Sequence, residues 1–60
     1  MEYNIPKDPA MLLSYVNTQL RNRYESLEEF CAAQNVSDEK IRAALDTLDY
    51  AYDREQNQFV

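Results

Sequence analysis

Ser26-Leu27-Glu28-Glu29-Phe30-Cys31-Ala32-Ala33-Gln34-Asn35-Val36-Ser37-Asp38-Glu39 is the stretch on which the fold turns. It opens as a capping box, with the Ser26 oxygen placed for the N–H three residues on and Glu29 placed to reach back. Leu27, Phe30, Cys31 and Ala33 give the helix that follows an apolar face. Asn35 then supplies the left-handed geometry that ends a helix where no glycine is at hand. Ser37, followed at once by Asp38 and Glu39, starts another helix, the carboxylates suiting the positive end of its dipole. Two helices joined by so short a turn have helix-turn-helix spacing, with small Cys31 at the crossing, Asn35 and Val36 at the turn, and Ile41 and Leu45 facing inward.

Upstream, Asp8-Pro9 marks the start of a first helix, because aspartate caps free N–H groups and proline at the first helical position forfeits no hydrogen bond. Leu12, Leu13, Val16, Leu20 and Tyr24 recur at helical spacing, which predicts a helix from about Pro9 to about Arg23. Downstream, Ile41, Ala44, Leu45 and Leu48 form the buried stripe of the third helix. After Leu48 the period changes: Tyr50 and Tyr52 flank Ala51, and Asn57-Gln58-Phe59-Val60 follows the polar run Asp53 to Gln56. Alternation with aromatic residues predicts a β-hairpin with its loop at Arg54 to Asn57, pairing Tyr52 with Phe59 and Ala51 with Val60. Tyr50, Tyr52 and Phe59 then face the helices. Asn57 takes a positive φ, so Asn57→Gly is expected to be neutral or stabilising and Asn57→Val to cost about 1–2 kcal/mol. The competing reading extends the third helix through Asp53 to Gln58. The predicted fold is mainly α: one domain over residues 1–60, a three-helix core and a short C-terminal hairpin, winged-helix-like in outline.

The chain has 60 residues, 45% of them hydrophobic, no histidine, no glycine, and a net charge of −5. This composition folds, and one core is all such a length can build. Cys31 is the sole cysteine, so neither an internal disulfide nor a thiolate zinc site can form. A reducing, cytoplasmic setting fits, because the start Met1-Glu2-Tyr3-Asn4 lacks a secretory signal pattern and the apolar run Ala10 to Leu13 is far below the roughly 20 residues that span a bilayer.

Chemistry is hard to place. Without histidine or a cationic setting, Cys31 beside Glu28 and Glu29 reads as a buried core thiol rather than a nucleophile. The serines and threonines lack a base, and no glycine-rich loop exists to cradle phosphate. The acidic groups Glu25, Glu28, Glu29 and Asp46, Asp49, Asp53 read as solvated faces, because a calcium loop needs denser ligands and a glycine turn. No catalytic residue, metal ligand or cofactor is assigned. The acidic balance argues against nucleic acid, and the third helix, which would enter the groove of DNA, has a net charge of −1. Only the first helix is net positive, through Arg21 and Arg23, residues that also suit its dipole.

What remains is a partner surface. Five tyrosines in 60 residues suit an interface. Tyr3 and Tyr15 are the ones expected to protrude, Tyr15 beside Met11 at i, i+4 off the main stripe. Met11, Tyr15, Arg21 and Arg23 are therefore the candidate contact residues of a protein-interaction module, which acts on another protein or by self-association. Winged-helix nucleic-acid binding is the alternative. It requires Arg21, Arg23, Lys40, Arg42 and Arg54 to gather on one face.

Two stretches together resemble a known family: Ile5-Pro6-Lys7-Asp8-Pro9 leading into Leu12-Leu13-Ser14 and Val16-Asn17, and the ending Tyr50-Ala51-Tyr52-Asp53 with Asn57-Gln58-Phe59. The family is the short bacterial domain-of-unknown-function family number 4250, in which a glycine often stands where this chain has Asp49. The resemblance covers nearly the whole chain. It implies a bacterial cytoplasmic protein and no activity, so it assigns no functional residue.

Overall fold

A computed structural model describes residues 5–60, in which the predicted architecture is present. Helix α1 spans Pro9–Asn22, α2 Leu27–Gln34 and α3 Asp38–Asp46, and strands β1 (Tyr52–Asp53) and β2 (Gln58–Phe59) form an antiparallel hairpin. Tyr3 lies outside the described residues. The Asp8 carboxylate accepts from the Met11 N–H at 3.1 Å, with Pro9 opening the helix behind it. Ser26 caps α2 through the Glu29 N–H at 3.1 Å. The return arm of the box differs: Glu29 takes the N–H of Glu25, at 3.0 Å, one residue beyond the one expected. Ser37 occupies the cap position of α3 without a side-chain bond, and contributes its carbonyl to Ile41 instead. At so exposed a helix start, water can satisfy the free N–H groups.

Helices α2 and α3 end alike, in left-handed residues that no glycine supplies. After α2, Asn35 has φ 58°, with Val36 N–H bonded to the Cys31 carbonyl and Asn35 N–H to that of Ala32. After α3, Asp49 has φ 64°, with Tyr50 N–H on the Leu45 carbonyl and Asp49 N–H on that of Asp46. Both are Schellman closures. The glycine expected from the family at position 49 thus has a backbone reason. The same closure corrects the reading of Leu48: the chain has left the helix by Asp46, so Leu48 is carried out of the buried stripe and is 38% exposed.

Leu12, Val16, Leu20, Leu27, Phe30, Cys31, Ile41, Leu45 and Phe59 form one core. On α2 the inward position after Phe30 and Cys31 belongs to Gln34, not Ala33, because seven residues from Leu27 completes two turns. Gln34 is buried. Its Nε2 lies 3.5 Å from the Tyr24 hydroxyl, and its Oε1 has no partner among the described residues.

Candidate interaction surface

The hairpin is fixed by side chains that reach main-chain groups far away in sequence. Ala51 and Val60 exchange both of their main-chain bonds, at 3.0 and 2.9 Å. The next pair, Tyr52 and Phe59, therefore turns its N–H and C=O groups away from the partner strand. On the β2 side those groups meet the Asn17 amide, whose Oδ1 accepts from Phe59 N–H at 2.7 Å and whose Nδ2 donates to Phe59 O at 3.1 Å. A side-chain amide of α1 thus closes that edge as a neighbouring strand would.

At the hairpin's other end Asn57, at φ 55°, donates through Nδ2 to the carbonyls of Leu20 and Tyr24, at 3.0 and 2.9 Å. Its Oδ1 accepts from the Tyr52 hydroxyl, which itself accepts the Leu27 N–H at 3.2 Å. Asn57 and Tyr52 together satisfy orphan groups at the end of α1 and the start of α2. These residues fall within the stretches that carry the family resemblance, and their visible task is to hold the fold.

The β1 edge is different. Tyr52 N–H and C=O point outward from it with no partner among the described residues. Beside them runs a groove of about 270 Å³ lined by Arg42, Ala43, Asp46, Tyr50, Ala51, Tyr52 and Phe59. Its walls are α3 and β1. Tyr50, expected to face the helices, is 36% exposed at its rim, because the left-handed Asp49 swings the chain outward before the strand begins. Arg42 and Arg54 each lie 5.8 Å from the centre of the Tyr52 ring. Arg42 is paired with Asp38 at 3.2 Å and Arg54 with Glu28 at 2.7 Å. The Arg54 guanidinium holds the Glu28 carboxyl below its ordinary pKa. In the loop, the Gln56 side-chain amide and then the Glu55 N–H hold that of Asp53 down as well.

The residues singled out from sequence are not brought together. Met11 is exposed near the start of α1, while Arg21 and Arg23 protrude at its far end, about 15 Å away at 1.5 Å per residue. Tyr15 is half-buried, its ring edge-on to Phe30 at 6.2 Å, so it belongs to the core margin rather than to an exposed strip. Arg42 and Arg54 meet over Tyr52, and Lys40 lines, with Lys7, a second and more apolar groove between the N-terminal arm and α3. Neither of the two ion pairs among the described residues involves Arg21 or Arg23. Sequence reading missed the β1 groove, although Tyr50 beside a turn residue in a glycine-free chain was its one visible signal.

Cys31 is buried, and desolvation, followed by the nearby Asp38, pushes its thiol above the ordinary value. No group of three or more acidic or cysteine side chains is placed to hold a metal ion among the described residues, and none of their helices is long and apolar enough to cross a membrane.

This geometry defines a small trihelical domain closed by a hairpin. Within that class the chain belongs to the family described as Domain of unknown function (DUF4250), whose model matches residues 6–59. No curated protein and no solved structure matches it.

Proposed function

We propose that this domain is a non-catalytic protein-interaction module that docks its partner along the β1 edge, in the reducing cytoplasm of a bacterium. The observation that carries the reading is the asymmetry of the hairpin: one edge is sealed by Asn17, while the other offers the Tyr52 main chain beside a groove with an aromatic rim. An open edge next to a helix is a ready template for strand addition. The exposed Met11 is a second, smaller apolar contact point in this reading. A photoreactive side chain at Ala51 should crosslink a discrete protein in the native cell, and the same probe at exposed Glu39 should not. Equal, diffuse labelling from both positions would refute the reading.

Nucleic-acid binding is the second reading, favoured by the winged-helix-like outline and the protruding Arg21 and Arg23. Labelled DNA and RNA titrated at about 50 mM salt give it the best chance, since phosphate contacts are least screened there. Micromolar binding abolished by Arg21→Ala with Arg23→Ala would replace the first reading.

A further inference from the structure

We infer that the occupant of the β1 groove is a second copy of this chain, joined about a twofold axis that pairs β1 with β1; this rests on the docking reading above and names its partner. Three observations converge. First, the outward pair on β1 is centred on Tyr52, so two antiparallel copies in register at Tyr52 can exchange Tyr52 N–H and C=O bonds with each other. Tyr50 N–H is already committed to the Leu45 carbonyl, which disfavours registers that pair Tyr50 with Tyr52.

Second, the charges on the groove wall are self-complementary. Arg42 and Asp46 lie one helical turn apart on α3, both lining the groove. In the inferred dimer the two α3 helices run antiparallel beside the paired strands, with Arg42 of one copy against Asp46 of the other, twice. Such an isologous contact closes on itself and leaves no open end to polymerise. A partner of uniform charge would meet one favourable and one unfavourable residue here.

Third, Arg42 is held only by surface contacts, the Tyr52 ring and Asp38. Its link to Asp38 is an i, i+4 pair with both side chains about 45% exposed, and such surface pairs contribute little to stability. Exposed Tyr50 and the small side chains Ala43 and Ala51 let the two surfaces approach. Five net negative charges per copy repel at long range, so the dimer should tighten as salt rises until the local pairs are screened.

Sedimentation equilibrium of the purified chain from about 10 µM to 1 mM, the range in which small interfaces dissociate, reads the mass directly. The wild type should pass from monomer to dimer. Arg42→Glu and Asp46→Lys, each alone, place like charges in apposition and should weaken association at least tenfold. An equimolar mixture of the two variants should associate about as tightly as the wild type, and so should the chain carrying both changes. Circular dichroism confirms that each variant is folded. A synthetic chain with an N-methylated Tyr52 removes only the outward donor and should stay monomeric while folding normally. A wild type that remains monomeric at the highest concentration overturns the homodimer, as does a variant mixture that fails to associate. Neither result touches the crosslinking experiment at Ala51, in which docking of a different protein would still be seen.

Discussion

Glycine substituted at two of the left-handed positions, Asn57 and Asp49, should have opposite consequences, and Asn57 is the informative case. On backbone grounds alone Asn57→Gly relieves strain. Its side chain, however, makes three hydrogen bonds, to the Leu20 and Tyr24 carbonyls and the Tyr52 hydroxyl, all partly buried. At roughly 0.5–1.5 kcal/mol each, their loss costs about 3 kcal/mol. The left-handed relief and the extra unfolded-state entropy of glycine are both below about 1 kcal/mol and oppose one another. The net expectation is a loss of about 2–3 kcal/mol, a large share of the stability of a 60-residue domain, and a fall in Tm of about 10–20 °C. Asp49→Gly is the control. Asp49 has no side-chain hydrogen bond among the described residues, and it puts a negative charge at the negative end of α3, so its replacement should gain about 0.5–1 kcal/mol. Urea unfolding followed by far-ultraviolet circular dichroism measures both. An Asn57→Gly chain as stable as the wild type would show that the Asn57 network contributes nothing, and the account of the hairpin's attachment would fail with it.

Gln34→Met should stabilise by about 1 kcal/mol in the same assay, because it removes a buried acceptor that has no partner among the described residues and keeps the volume; a loss of similar size would mean that Gln34 is bonded in solution. A thiol reagent should label native Cys31 only as fast as the protein unfolds, and Cys31→Ser should cost roughly 1–3 kcal/mol. The raised thiol pKa means that the fold prefers the protonated form. Its contribution is whole below pH 9.0, the ordinary value, and is lost as pH rises through the folded value, so Cys31→Ala should flatten the alkaline limb of a stability–pH curve. Asp53 has the opposite sign: its depressed pKa gives stability that is present above pH 3.8 and lost as pH falls through the folded value. Carboxyl NMR shifts of Asp53 should therefore titrate below 3.8, and Gln56→Ala should move the titration part of the way back up, the main-chain donors of Glu55 and Gln56 remaining.

Local chemistry was legible in the chain, and distant polar chemistry was not. The caps at Asp8 and Ser26, the turn at Asn35 and the hairpin register follow from residues no more than nine positions apart, so spacing reveals them. Asn17, Asn57 and Tyr52 act on groups 25 to 42 residues away, and nothing in their neighbours announces it. One sign was available: Asn17 lies between Leu13 and Leu20 on the inward side of α1, where a polar residue needs a reason. Leu48 and Ala33 were misread because periodicity continues on paper after the helix has closed, or slips by one position around the cylinder. The groove escaped for a different cause. It exists only between α3 and β1, and its walls belong to two separate predictions.

The Asn17 clamp also sets the order in which the molecule can be made. Asn17 and Phe59 are 42 positions apart, and Phe59 supplies a core side chain from well beyond the three helices. Segments emerge from the ribosome N-terminal first, so α1, α2 and α3 are synthesised before the residues that cover them. Until Gln58 and Phe59 appear, the carbonyl of Leu20 and the N–H of Leu27 face water, and the space that Phe59 fills stands open. The nascent helices thus pass through an interval in which their unfilled core is open to proteases and chaperones alike, and it lasts at least until Phe59 has been added.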